Sequence, residues 1–164
     1  SHHEIYNIVT TKLLKKEIIS LPTETVYGLA GIGTSLSAAK KIYKIKKRPL
    51  SKKLIFHCSN LEMVKRFFIL EDENLLLAKK FWPGPLTLIL KRKSKQIPLD
   101  LTKDGSCAVR IPKNSFTLKV ISLLNKPILL KKKIFRSKTV KCFLFSNRLI
   151  FASYKLKSSF ESKL

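Results

Sequence analysis

The chain has 164 residues and a formal net charge of +24 at pH 7, because 34 lysines and arginines oppose 10 acidic residues. A hydrophobic content of 45% excludes an intrinsically disordered chain, and the length is enough for one domain with a buried core. No apolar run reaches the length of a membrane span, and residues 1–20 lack the pattern of a secretory signal.

The excess of positive charge predicts attraction to polyanions such as nucleotides, RNA or an anionic membrane. The alternative is compositional, because AT-rich coding sequence also yields a chain dominated by Lys, Ile, Leu, Phe and Ser. The cysteines Cys58, Cys107 and Cys142 match neither a zinc pattern nor a disulfide framework. A reducing cytosol is the simplest setting for them, so a cytoplasmic protein is expected.

Hydrophobic spacing and turn signals predict alternating helices and strands. The first half contains a helix over residues 4–16, a buried strand over 18–21, a helix over 37–46 capped by Ser35 or Ser37, and a strand over 54–58. The second half contains helices over 60–68 and 71–81, strands over 86–90 and 107–111, a helix from Asn114 or Ser115 to 124, and a strand from 127. This alternation predicts an α/β domain whose sheet is covered by helices.

The stretch SLPTETVYGLAG, residues 20–31, joins a β-like run to a turn rich in hydroxyl side chains. We expect this turn to expose the polar side chains of Thr23, Glu24, Thr25 and Tyr27 at the end of a strand. We also expect Gly28 and Gly31 to let a ligand approach the backbone.

Two cations in KIKKRP, Lys46 and Arg48, suit a polyphosphate, because lysine is a point charge and arginine a bidentate fork. The alternative is a solvated charge cluster in a lysine-rich chain. His57 follows this turn at the end of an apolar strand, where it either contacts a small polar ligand or has a structural role.

The strand within CAVRIP places Ser106 and Arg110 on one face, with Ala108 between them leaving room for a ligand. Arg110 is therefore predicted to clamp a carboxylate, the alternative being a surface ion pair. The stretch FWPGPLTLIL, residues 81–90, is predicted to shape the core. No P-loop, GxGxxG, HExxH or Ser-His-Asp pattern is found, so no catalytic residue and no metal ligand is assigned.

Taken in order, SLPTETVYGLAG, KIKKRP, FWPGPLTLIL and CAVRIP resemble the YrdC-like family, the threonylcarbamoyl-adenylate synthases. The resemblance covers residues 4–130 and implies a twisted mixed sheet with helices packed on it and a basic cleft. It implies condensation of L-threonine, bicarbonate and ATP, with Mg²⁺, to threonylcarbamoyl-adenylate and pyrophosphate. Downstream transferase proteins would then modify tRNA, and some members of the family also bind double-stranded RNA.

The same resemblance assigns contacts to individual residues. Thr25, His57 and Arg110 look like contacts for L-threonine. Arg48 and Ser106 look like contacts for ATP, with Lys46 close to the phosphates.

The chain departs from the family pattern at two places. Lys52 and Lys53 stand where the family usually reads Asn-Pro, and Lys131 to Ile134 stand where it reads Ser-Ala-Asn. Every proline and glycine lies at or before Pro127, and residues 131–164 form a basic tail that fits a hairpin or an amphipathic helix. We hypothesise that this tail replaces the family's C-terminal segment, as a frameshift would. If the neighbouring coding DNA does not encode Ser-Ala-Asn in another reading frame, the frameshift hypothesis is wrong.

Three interpretations therefore stay open at this point. The chain is an active synthase, a non-catalytic RNA-binding remnant with an inherited basic cleft, or a decaying gene product that folds poorly.

Overall fold

The computed structural model describes residues 2–24, 26–132, 143–145 and 149–151. The helices are α1 (His2–Leu14), α2 (Leu36–Lys46), α3 (Leu61–Phe67), α4 (Asp72–Phe81) and α5 (Ser115–Leu124), with a 3₁₀ turn at Leu99–Leu101. The strands are β1 (Ile19–Pro22), β2 (Tyr27–Ile32), β3 (Ile55–His57), β4 (Phe68–Ile69), β5 (Leu88–Arg92), β6 (Ser106–Arg110), β7 (Ile128–Lys132), β8 (Phe143–Phe145) and β9 (Leu149–Phe151).

Seven strands form one mixed, twisted sheet in the order β1-β2-β7-β3-β6-β5-β4. Strands β3 and β6 are parallel, and the other neighbouring pairs are antiparallel. The predicted α/β fold is therefore confirmed, whereas the basic cleft stays a prediction. Among the described helices, none is long and apolar enough to cross a membrane.

Side chains at the helix ends explain where the helices begin. Ser35 Oγ accepts from the Ala38 N–H at 3.3 Å, and Asn60 Oδ1 accepts from the Met63 N–H at 2.8 Å. Asn114 Oδ1 accepts from the Thr117 N–H at 3.1 Å. Each bond satisfies a backbone donor that the first helical turn leaves unpaired. The alternatives at α2 and α5 are thus resolved in favour of Ser35 and Asn114.

The glycines of the SLPTETVYGLAG stretch serve packing, so the expectation that they admit a ligand is wrong. Residues Tyr27–Ile32 form strand β2, which we had not predicted, and Gly28 and Gly31 are buried in it. A Cβ on Gly31 would lie 2.9 Å from Ile18 Cδ1 and 3.3 Å from Ile42 Cδ1, and one on Gly28 would overlap the Leu130 side chain. The missing Cβ atoms thus leave space for side chains of the core.

The Pro-Gly-Pro turn is longer than predicted, so β5 begins at Leu88 rather than at residue 86. Trp82 Nε1 donates to the Leu86 carbonyl at 2.7 Å, which holds residue 86 in the turn. The Gly84 N–H donates to the Ile111 carbonyl at 2.9 Å and joins the turn to the end of β6. The predicted role of this stretch in shaping the core agrees with the burial of Trp82.

Of residues 131–164, the first two continue β7, and β8 and β9 pair antiparallel as a separate two-stranded sheet. This pairing corresponds to the hairpin alternative for the tail. Cys142 lies outside the described residues.

Candidate functional site

His57 and Arg110 are brought together by the parallel pairing of β3 with β6. They are register partners, as are Ile55 and Ala108. Because opposite residues share one face of a sheet, His57 and Arg110 project to the same side. Both are buried, with 5% and 8% of their surface exposed, and Ser106 and Ala108 alternate before Arg110 on the same face.

Arg110 pairs with a carboxylate of this chain, and the predicted clamp on a ligand carboxylate stays a prediction. Its Nη2 lies 2.9 Å from Glu24 Oε1, and its Nε donates to the Gly84 carbonyl at 2.8 Å. Glu24 Oε1 also accepts from the Lys113 N–H at 2.7 Å. Arg110 is the last residue of β6. Its guanidinium therefore links the turn after β1, through Glu24, to the Pro-Gly-Pro turn before β5, through Gly84. The ion-pair alternative therefore holds in part: the pair forms, but the Arg110 side chain is only 10% exposed and that of Glu24 is 23% exposed.

The pKa of Glu24 reflects this arrangement. Partial burial favours the neutral acid and raises the pKa, but backbone N–H donors, chiefly that of Lys113, and the Arg110 cation outweigh it, so the pKa is lowered. Sequence reasoning had noted Glu24 as a polar turn residue and missed its partner. The sequence signal that could have indicated a charged partner was that Glu24 is an isolated acidic residue in a strongly basic chain.

We expect the Glu24–Arg110 pair to make stability depend on pH at acidic values. A lowered folded-state pKa gives stabilisation that is complete above the unfolded pKa of about 4.3 and is lost as pH falls through the folded value. Chemical denaturation at pH 7 and pH 3 checks this. Glu24→Gln should destabilise the protein by about 1 kcal/mol at pH 7 and by much less at pH 3. Equal differences at the two pH values would contradict the expectation.

The turn after β1 is held from both sides. The Thr23 hydroxyl donates to the Val26 carbonyl, and the Val26 N–H approaches Thr23 Oγ1 at 3.2 Å. Thr117 of α5 donates its hydroxyl to the Pro22 carbonyl at 2.6 Å. Thr25, a predicted L-threonine contact, lies outside the described residues, between these anchored neighbours.

His57 Nδ1 lies 3.1 Å from the Ile55 carbonyl oxygen. Because a carbonyl only accepts, this contact places a proton on Nδ1. The ring is thereby oriented on the same sheet face as Arg110.

The predicted phosphate residues lie around the loop between α2 and β3. Arg48 Nε donates to the Lys52 carbonyl at 2.8 Å, and Nη2 lies 3.3 Å from the Lys53 carbonyl, so this side chain closes the loop. Lys53 Nζ donates to the Asp100 carbonyl at 2.8 Å. Lys46, half-buried, ends α2. Within the described residues, the hydrogen bonds of Arg48 thus go to its own loop and not to His57, Ser106 or Arg110.

A further cation, Lys131, faces this loop from β7. Burial lowers the pKa of Lys131, and the neighbouring cations Arg48 and Lys52 lower it further. The ion pairs Lys12–Glu17 and Arg110–Glu24 involve none of these three residues. Sequence reasoning read residue 131 only as part of a lost motif and missed this proximity.

The cysteines lack the character of reactive thiols. Burial raises the pKa of Cys107 to about 11, and it raises the pKa of Cys58 even more strongly. Neither thiol is therefore ionised near neutral pH. Within the described residues, no group of three His, Cys, Asp or Glu side chains is placed to hold a metal ion.

The fold and these residues define an α/β protein with a buried arginine on its sheet, paired with a partly exposed carboxylate, and a cluster of cations at the loop between α2 and β3. A family model, Sua5/YciO/YrdC, described as telomere recombination, matches residues 11–137. The chain belongs to this family, as the sequence resemblance predicted.

Two curated relatives support this assignment. The threonylcarbamoyl-AMP synthase of Pyrococcus abyssi is 40% identical over 114 residues, which cover 68% of this chain and 33% of that protein. The threonylcarbamoyl-AMP synthase of Bacillus subtilis is 36% identical over 118 residues, covering 71% of this chain and 34% of that protein. The chain thus matches about a third of the length of these relatives.

Solved structures agree with the fold. Sua5 of P. abyssi in complex with L-threonine superposes with a TM-score of 0.73 and 34% identity, covering 80% of this chain and 38% of that one. YciO of Escherichia coli superposes with a TM-score of 0.71 at 23% identity, which supports the fold alone.

Proposed function

We propose that this chain carries the ligand sites of a threonylcarbamoyl-AMP synthase, which condenses L-threonine, bicarbonate and ATP. The observation that carries the proposal is the Arg110–Glu24 pair beside His57 on the sheet face. It occurs in a chain whose relatives are threonylcarbamoyl-AMP synthases, one of which has been crystallised with L-threonine. Cytoplasmic location and transfer of the product to tRNA by downstream proteins belong to the same proposal.

Arg110, His57 and Thr25 would hold L-threonine. A guanidinium has five N–H donors, and within the described residues Glu24 and Gly84 engage Nη2 and Nε. The remaining N–H groups suit the threonine carboxylate, because Glu24 fixes the direction of the fork. His57, oriented through Nδ1, would contact the polar groups of the substrate from the sheet face that it shares with Arg110.

Arg48, Lys46 and Ser106 would hold ATP, with Lys52 and Lys131 adding positive charge beside the phosphates. Burial lowers the pKa of Lys131, and the neighbouring cations Arg48 and Lys52 lower it further, so the three cations at this loop repel one another. A triphosphate would relieve this repulsion, which favours its binding. Mg²⁺ fits as an ion carried by the phosphates, because it typically keeps several waters and needs few protein ligands.

The chemistry requires positioning more than proton transfer. The threonine amine attacks the carbon derived from bicarbonate and forms a carbamate with loss of water. A carbamate oxygen then attacks the α-phosphorus of ATP, forming the P–O bond of threonylcarbamoyl-AMP while pyrophosphate leaves. Arg48 and the neighbouring lysines would stabilise the charge on the departing pyrophosphate.

Release of pyrophosphate from ATP tests the proposal. We expect release that requires both L-threonine and bicarbonate, with threonylcarbamoyl-AMP identified by mass spectrometry. Lack of release from a sample with a cooperative unfolding transition would reject the proposal for this chain.

A second candidate, binding of double-stranded RNA or tRNA without turnover, is favoured by the net charge of +24. Its affinity would fall steeply with salt, because phosphate contacts release counterions. On this proposal residues 4–130 form the YrdC-like domain, and residues 131–164 are a basic tail that strengthens RNA binding. Affinity that is insensitive to salt would contradict it.

A further inference from the structure

Helix α4 carries two exposed leucines on its outer side, with a charged residue on either side of them. Ala78 is buried, whereas Leu76 is 70% exposed and Leu77 is 42% exposed. Glu73 precedes the leucine pair and Lys80 follows it, and both are exposed. Counted from Glu73 as position i, the leucines are i+3 and i+4 and Lys80 is i+7. Residues at this spacing share one helix face, so the four side chains form a single stripe that points away from the core.

The order of the four residues makes the stripe self-complementary. Its acidic end is Glu73, its centre is the leucine pair, and its basic end is Lys80. If a second copy of α4 lies antiparallel across a two-fold axis at the leucines, Glu73 of each copy faces Lys80 of the other. The ends are about 10 Å apart along the helix, so both charge pairs form in the same arrangement.

We propose that α4 is the contact of a homodimer, with the stripe Glu73–Leu76–Leu77–Lys80 packed antiparallel against its own copy. Phe81, 45% exposed, borders the leucines and widens the apolar surface. Exposed apolar groups flanked by charged residues are typical of protein-interaction surfaces.

The charge distribution favours a second copy over a polyanion as the occupant. Glu71, Asp72 and Glu73 are three of the ten acidic residues in a chain of net charge +24. The acidic first turn of α4 therefore repels a nucleic acid. The basic last turn, with Lys79 and Lys80, instead complements the acidic first turn of a second copy. Such a contact is much smaller than the ~1,600 Å² of typical stable complexes, so we expect a weak dimer.

Sedimentation equilibrium of the full chain tests the proposal at loading concentrations from about 10 µM to about 1 mM. The wild type should show a reversible monomer–dimer equilibrium. Glu73→Lys and Lys80→Glu should each raise the dissociation constant at least about tenfold, because symmetry turns two attractive contacts into two repulsive ones. The double variant should return to within about threefold of the wild type.

Lys79→Glu is the matched control, since it changes the charge as Lys80→Glu does but lies off the stripe. It should leave the dissociation constant nearly unchanged. Leu76→Ser should weaken the dimer without lowering the unfolding temperature of the monomer, because Leu76 is exposed. A monomeric wild type over the whole range, or a double variant that is not restored, would overturn the proposal.

Discussion

Arg110→Ala is expected to lower threonine-dependent pyrophosphate release at least about a hundredfold, as misplacement of a substrate typically does. The change removes the proposed clamp for the threonine carboxylate and leaves Glu24 without its cation. We also expect a loss of about 1–2 kcal/mol in the free energy of unfolding, because the buried guanidinium loses its hydrogen bonds to Glu24 and to the Gly84 carbonyl, whereas the Glu24 carboxylate that remains is partly exposed. Steady-state assays and urea denaturation measure the two effects.

Two variants separate these effects of Arg110. Arg110→Lys keeps the charge but loses the fork, so it should recover part of the stability and little of the activity. Arg66→Ala removes an exposed arginine that donates to Asn125 at 2.9 Å, and it should leave activity unchanged. Normal activity in Arg110→Ala would show that Arg110 only supports the fold.

Arg48→Ala is expected to weaken ATP binding about 10- to 100-fold, because charge-assisted hydrogen bonds contribute about 1.5–3 kcal/mol. Arg48 also closes the loop before β3 through the Lys52 and Lys53 carbonyls, so its removal loosens that loop. Isothermal titration calorimetry with ATP measures the affinity, and the Arg66→Ala variant again serves as the charge control.

Arg48→Lys distinguishes the two roles of this residue. It retains a cation but not the planar fork that reaches both carbonyls. If Arg48→Lys binds ATP nearly as well as the wild type, the positive charge is the main contribution of Arg48. If it binds ATP as weakly as Arg48→Ala, the main contribution is the closure of the loop by the guanidinium. Unchanged ATP affinity in Arg48→Ala would contradict the proposed nucleotide site.

Much of the fold was predictable because it depends on neighbours in the sequence. The helix starts at Ser35, Asn60 and Asn114 follow from caps that act within three residues. Strand β2 was missed because its glycines resemble those of a ligand-binding turn. These positions need glycine because the side chains of Ile18, Ile42 and Leu130 fill the space that a Cβ atom would take.

The candidate site was predictable in its residue types but not in its contacts. Alternation along β6 placed Ser106 and Arg110 on one face, and the family motifs marked His57 and Arg48. Lys131 could not be assigned, because its nearness to Arg48 depends on β7 lying between β2 and β3. Thr25 lies outside the described residues, so its role stays a prediction.

By itself the sequence determined the α/β class, the family and the helix starts at Ser35, Asn60 and Asn114. These depend on side-chain chemistry and on hydrogen bonds within a few residues. Only the tertiary structure decided that Glu24 pairs with Arg110 and accepts from the Lys113 N–H, 89 residues away along the chain. Such contacts form only when the sheet brings distant segments together, and local propensity carries no information about which carboxylate a buried arginine will meet.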